Sequence, residues 1–134
     1  MRIDRSLLDE IVAHALRDAP NECCGVVVGR GGVAIAAQPL ENLAASPFRF
    51  DIDGRELIRF AFADADDAEQ LTAIYHSHTR SSPYPSQTDV NFAAGWPGVE
   101  WLIVGVPRRG GGEPEVRSYL IDDGVVREIQ IEVT

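Results

Sequence analysis

The chain has 134 residues, 45% of them hydrophobic and 25% charged, which suits one domain spanning 1–134 that buries about two thirds of its unfolded surface. A formal net charge of -9, with 21 acidic residues against 12 scattered basic ones, argues against nonspecific nucleic-acid binding, which needs clustered Lys and Arg. No apolar run approaches the roughly 20 residues that span a bilayer, and Met1-Arg2-Ile3-Asp4-Arg5 opens into an amphipathic pattern rather than a signal sequence, so a cytoplasmic location is expected.

In chain order, the apolar pairs Leu7/Leu8, Ile11/Val12 and Ala15/Leu16 predict a helix from about Ser6 to Asp18, with Ser6 and Asp9 at capping-box spacing. His14 lies inside it with nothing nearby to complete a site, and receives no role. Cys24 to Val28 reads as a strand with a β-branched centre. Cys23 and Cys24 are adjacent and would close only a strained ring, so both are expected as packed, reduced thiols. Further strands are expected at Val33 to Ala37 and Phe48 to Ile52, then a helix from Gly54 to about Ala63 with Asp53 as N-cap and Glu56 at its third position. The acidic run Asp64 to Glu69 reads as a solvated helix end or loop. Leu71-Thr72-Ala73-Ile74-Tyr75 predicts a buried strand that ends at His76-Ser77-His78. Thr79 to Pro85 is dense in Ser and Pro and must be a loop, after which Ser86 starts a helix running toward Gly95. A strand at Val99 to Val106 follows. Gly110-Gly111-Gly112 lacks the lysine and helix start of a phosphate loop and reads as a flexible connection. Glu115 to Asp122 and Val125 to Val133 form a hairpin around Asp123-Gly124. The pattern is an α/β domain, a single mixed sheet with flanking helices, and no internal repeat.

The chemistry concentrates at the end of the histidine strand. Residues i and i+2 of a strand point to one side, so His76 and His78 converge. Two imidazoles and one carboxylate are a usual ligand set for catalytic zinc with a fourth position for water, which makes Asp89 the natural third ligand. Ser86 and Asp89 equally read as the two ends of a capping box, and capping does not compete with ligation. A hydrolytic zinc site also needs a general base. Glu22, at the start of the Cys24 strand, is the candidate, although by position alone it is an ordinary loop acid, one among 21.

Glu22, His76-Ser77-His78, Ser86 and Asp89 together resemble the E…H-S-H-x7-S-x2-D signature of the JAMM (MPN+) zinc metallopeptidases, without gap or substitution. Glu22-Cys23-Cys24-Gly25-Val26 and Asn42…Ser46-Pro47-Phe48-Arg49-Phe50-Asp51 extend the resemblance over most of the chain. His78-Thr79 and Tyr84-Pro85-Ser86-Gln87-Thr88-Asp89 are similar to bacterial members that release cysteine from the C-terminus of a sulfur-carrier protein, while many other members have proline where this chain has Thr79. The resemblance implies the three-layer, cytidine-deaminase-like JAMM fold and one zinc ion per chain held by His76, His78 and Asp89. It further implies that Glu22 deprotonates the attacking water and that Ser86 hydrogen-bonds the oxyanion. The implied substrate is a ubiquitin-like or sulfur-carrier protein, cut at the amide after its C-terminal glycine. Oligomeric state is not visible in the sequence.

Two other classes compete with a peptidase. A noncatalytic binding scaffold of the same fold usually lacks the ligands that this chain keeps. A zinc nucleobase deaminase would need H-x-E with P-C-x-x-C, and neither is present.

Overall fold

The computed structural model describes residues 1–61, 69–108 and 111–134 and orders its elements as β1 (Arg2–Ile3), α1 (Arg5–Asp18), β2 (Cys24–Arg30), β3 (Val33–Leu40) and α2 (Gly54–Ala61), then β4 (Gln70–His78), α3 (Gln87–Ala93), β5 (Glu100–Gly105), β6 (Glu115–Asp122), β7 (Val125–Ile129) and β8 (Glu132–Val133). The strands form one mixed sheet in the order β7-β6-β5-β4-β2-β3-β1-β8. β4 lies at its middle, antiparallel to β2 and parallel to β5.

Side-chain alternation along the central strands sorts the residues into two cores. Cys23, Val27, Ala73, Tyr75, Leu102 and Val104 pack on one face with Leu7, Leu8, Ile11 and Ala15 of α1. Cys24, Val26, Ile74, Trp101, Ile103 and Tyr119 pack on the other with Leu57 of α2 and Ala93 of α3. The result is three layers, helix, sheet and helices, because the central strands β2, β4 and β5 bury both of their faces. β7 and β8 close opposite ends of the strand order, yet only Gln130 and Ile131 join them. Two linking residues reach about 11 Å at most, so the sheet curls until its ends approach one another.

Close packing on the α1 side fixes one glycine. A Cβ at Gly25 would lie 2.4 Å from the Tyr75 ring. That ring cannot retreat: Asp18 can only accept, so His14 donates from Nε2 to Asp18 Oδ2 (3.1 Å), leaving Nδ1 to accept from the Tyr75 hydroxyl (2.7 Å). Burial lowers the His14 pKa, consistent with this neutral, structural ring. Gly25→Ala is expected to destabilise the protein by about 1–3 kcal/mol, read as a lower urea midpoint at unchanged slope.

β2 and β4 keep regular register from the histidines down to the Val27–Ala73 pair, after which Val28 pairs with Leu71. Thr72 is the extra residue of this bulge, and Gly29 leaves room for it: a Cβ there would sit 2.6 Å from Thr72 Oγ1.

Three expectations change. Asp4, not Ser6, is the N-cap of α1, and the Ser6 hydroxyl donates to the Asp4 carboxylate, so no Ser6–Asp9 box forms. Residues 48–52 form no strand, because that segment folds over the sheet end and is held by side-chain bonds described below. The tail strand breaks after Ile129, since β8 leaves β6 and pairs with β1 instead. β1 itself, two residues long, was too short for a period to show. The turn between β6 and β7 is as expected, with Asp123 (φ 53°) and Gly124 (φ 78°) both left-handed. Asp53 caps α2 by accepting from the Arg55 amide (3.0 Å). The last two residues of the expected Gly54 to Ala63 helix, most of the acidic run and part of the glycine run lie outside the described residues.

Candidate metal centre

The site assembles where β4 ends. His76 and His78 share the face that carries Ile74, while Ser77 between them points to the α1 side, its Oγ accepting from the Cys23 amide at 2.8 Å. β2 pairs Cys24 with His76, so the same antiparallel register continued two residues sets Glu22 opposite His78 and on the histidine face. A backbone bond from Ser77 N to Cys23 O supports that continuation. The loop after β4 is anchored by the Val106 amide on His78 O (2.9 Å) and by the Tyr119 hydroxyl on Pro83 O. It delivers Ser86 as N-cap of α3. The full capping box forms: Ser86 Oγ accepts from Asp89 N (3.2 Å), and Asp89 Oδ2 accepts from Ser86 N (2.9 Å).

Three donor atoms converge. His76 Nε2 lies 3.1 Å from His78 Nε2 and 3.2 Å from Asp89 Oδ2, and His78 Nε2 lies 3.4 Å from the same oxygen. Ligands about 2.0–2.1 Å from a tetrahedral ion stand about 3.3 Å apart, so this triangle fits zinc without rearrangement. His78 Nδ1 donates to Ser82 O (2.8 Å), which leaves the Nε2 lone pair facing the triangle. His76 Nδ1 has no partner among the described residues. That ring is held by stacking, with Phe50 at 4.4 Å and 29° on one side and the edge of Trp101 at 6.3 Å on another.

Electrostatics keep two of the three ligand groups, His76 and Asp89, free of protons. Burial keeps the His76 pKa low, so the ring is neutral and its lone pair available. Burial opposes ionisation of Asp89, but its hydrogen bonds with His76 and His78 prevail and hold the carboxyl well below the usual range. His78 is raised despite its burial, chiefly through Asp89 and the Ser82 carbonyl. Glu22, 5% exposed, has its carboxyl pushed up to about 7 by burial, His78 opposing and Asp89 adding to the shift. A carboxyl poised there can take a proton and return it near neutral pH.

Glu22, His78, Ser86 and Asp89 line one small cavity of about 50 Å³ with Phe48, Arg49, Phe50, Ser81 and Thr88. The residue that organises its wall is Asn42, which the sequence reading left without a role. Its Nδ2 donates to Glu22 O (2.9 Å) and Arg49 O (3.1 Å), and its Oδ1 accepts from the amides of Ala44 (3.0 Å) and Asp51 (2.9 Å). Glu22 N donates to Ser46 O (2.9 Å), and the Thr79 hydroxyl shares its proton between Pro20 O (2.8 Å) and Pro47 O (3.0 Å). These bonds replace a strand ladder in ordering residues 42–51. Ser86→Ala removes both a cap acceptor and a hydroxyl at the cavity. It is expected to cost about 1 kcal/mol of stability by denaturation. A far larger effect, about 10²–10³ in kcat, is expected in cleavage assays.

Residues 4–122 match the family described as prokaryotic homologs of the JAB domain. A CysO-cysteine peptidase of Mycobacterium tuberculosis is 38% identical over 133 residues, covering 98% of this chain and 89% of that protein. A desampylase of Haloferax volcanii is 36% identical over 102 residues, covering 71% and 73%. A probable TtuB-protein conjugate cleaving protease of Thermus thermophilus is 34% identical over 123 residues, covering 91% and 76%. Among solved structures, a protein from Desulfitobacterium hafniense superposes with a TM-score of 0.82 at 29% identity, covering 100% and 93%. A JAB1/MPN domain protein from Archaeoglobus fulgidus gives 0.66 at 21% identity, covering 99% and 98%, a likeness of fold.

Proposed function

Because the chain belongs to the family of prokaryotic JAB-domain proteins, we propose that it is a zinc-dependent peptidase that hydrolyses the amide after the C-terminal glycine of a ubiquitin-like or sulfur-carrier protein. The observation that carries this reading is the buried triangle of His76, His78 and Asp89 with Glu22 and Ser86 in the same cavity. The relatives' names support the substrate class, since they include a CysO-cysteine peptidase and enzymes that act on protein conjugates. Residues 1–134 would serve as one catalytic domain working in the cytoplasm. No helix among the described residues is long and apolar enough to cross a membrane.

His76, His78 and Asp89 would hold one zinc ion, through Nε2 of each ring and Oδ2 of the carboxylate. Bound there, zinc supplies Lewis acidity, lowering the pKa of water toward about 7 and polarising the scissile carbonyl. Glu22 accepts a proton from the attacking water as its oxygen bonds to the carbonyl carbon. The Ser86 hydroxyl, whose oxygen already accepts from Asp89 N, keeps its proton free to donate to the carbonyl oxygen as that atom gains charge. Glu22 then gives its proton to the amine nitrogen as the C–N bond breaks, which leaves a carboxylate on the carrier and a free amine.

The test incubates the zinc-loaded protein with a sulfur-carrier protein extended by cysteine and with a ubiquitin-like isopeptide conjugate. Release of cysteine or of the conjugated protein, lost on chelation and restored by zinc, is expected. Failure to take up zinc, with neither substrate cut, would return the chain to the scaffold class.

A further inference from the structure

The cavity that Glu22 and Asp89 line also carries a cation in its wall. Arg49 lines it directly, and Phe48, which lines it too and is 73% exposed, has the Arg80 guanidinium over its ring at 5.8 Å. Among the described residues Arg2, Arg55, Arg59 and Arg117 pair with carboxylates, whereas neither Arg49 nor Arg80 has an acidic partner. In a chain of net charge -9, a lining arginine and a second arginine over the adjoining Phe48 ring, neither paired with an acid among the described residues, set positive charge beside the carboxylates of this site. The backbone of this segment is held in place: Asn42 fixes the Arg49 carbonyl, and the Phe50 ring stacks on His76.

Distance decides what such a rim can read. A residue that follows the scissile amide as the last of its chain puts its free carboxylate within about 3.8 Å of the amide nitrogen, so a cation that senses it must stand in the cavity itself. Arg49 does. An isopeptide on a lysine side chain places no charge there, because the nearest carboxyl lies a full side chain away and is itself in a peptide bond. Guanidinium groups engage carboxylates bidentately, with direction as well as charge.

We propose that Arg49, assisted by Arg80 across Phe48, is a specificity determinant that selects substrates whose scissile amide is followed by a single residue with a free carboxylate. This rests on the peptidase reading above and narrows it to release of one amino acid rather than cleavage of an isopeptide. Arg49 touches the departing residue and takes no part in the proton transfers, which belong to Glu22.

Two substrates test it, both a sulfur-carrier protein extended by Gly–Cys, one ending in the carboxylate and the other in the carboxamide. The zinc-loaded wild type is expected to favour the carboxylate by about tenfold or more in kcat/KM, and the preference should shrink as salt is raised. Arg49→Ala should bring the ratio to within about twofold, Arg49→Lys should keep part of it, and Arg49→Glu should invert it. Arg80→Ala should lower it by a smaller factor. Because the readout is a ratio within each variant, a general loss of folding or activity leaves it unmoved. Equal rates for the two substrates in the wild type, or a ratio unchanged in Arg49→Ala and Arg49→Glu, would overturn the assignment while leaving the peptidase standing. Cleavage of neither substrate by the wild type would overturn the peptidase reading and this inference with it.

Discussion

Asp89→Ala is expected to weaken zinc binding by more than about 100-fold and to abolish cleavage. One carboxylate oxygen does two jobs: Oδ2 faces both histidine Nε2 atoms and accepts the Ser86 amide that starts α3. Removing it leaves two imidazoles, too few to retain zinc, and strands a helix-start amide, which costs about 1 kcal/mol. Asp89→Asn separates the two effects. Its carbonyl oxygen can still accept from Ser86 N, so denaturation of the metal-free variant should match the wild type more closely, while zinc affinity by competition titration should fall nearly as far as in Asp89→Ala. Stoichiometric zinc retained by Asp89→Ala through dialysis would remove Asp89 from the ligand set.

Glu22→Gln should lower kcat by about 10²–10⁴-fold with zinc content unchanged. Glutamine keeps the size of the side chain and both backbone bonds, to Ser46 O and from Asn42 Nδ2, so the 42–51 wall is preserved. What disappears is the carboxyl that burial holds near neutrality. Because the variant removes a buried ionisable group without opening a cavity, its thermal stability should stay close to the wild type, and steady-state kinetics beside metal analysis will show the difference. A rate unchanged from the wild type would take Glu22 out of the proton transfers.

Most of the site could be read from the residues because it is built on alternation. His76 and His78 are two apart on one strand, whereas Glu22, by position alone an ordinary loop acid, stands out only through the family resemblance, and it is the register pairing Cys24 with His76 and Val26 with Ile74 that puts its parity on the histidine face. Ser86 and Asp89 were visible as a capping box, and the box formed. What escaped has physical causes. Asn42 acts through four hydrogen bonds to backbone atoms between residues 22 and 51, a pattern with no periodicity to detect. Phe48 to Ile52 has the composition of a strand, yet those backbone bonds and the stacking of Phe50 on His76 override that propensity. Ser6 lost the cap of α1 to Asp4, two residues earlier, because both are good capping residues and only the path of the chain from β1 chooses between them.

The bulge at Thr72 sets where the gene can gain or lose a codon. Between Ala73 and His76 a single deletion would shift His76 and His78 by one place and turn them toward α1, away from Glu22 and Asp89. Deleting Thr72 itself would remove the residue between Gln70 and His76 that has no partner on β2, leaving every pair from Val27–Ala73 to Cys24–His76 as it stands. Length variation in this strand is therefore tolerated at one position and lethal to the centre at the next four.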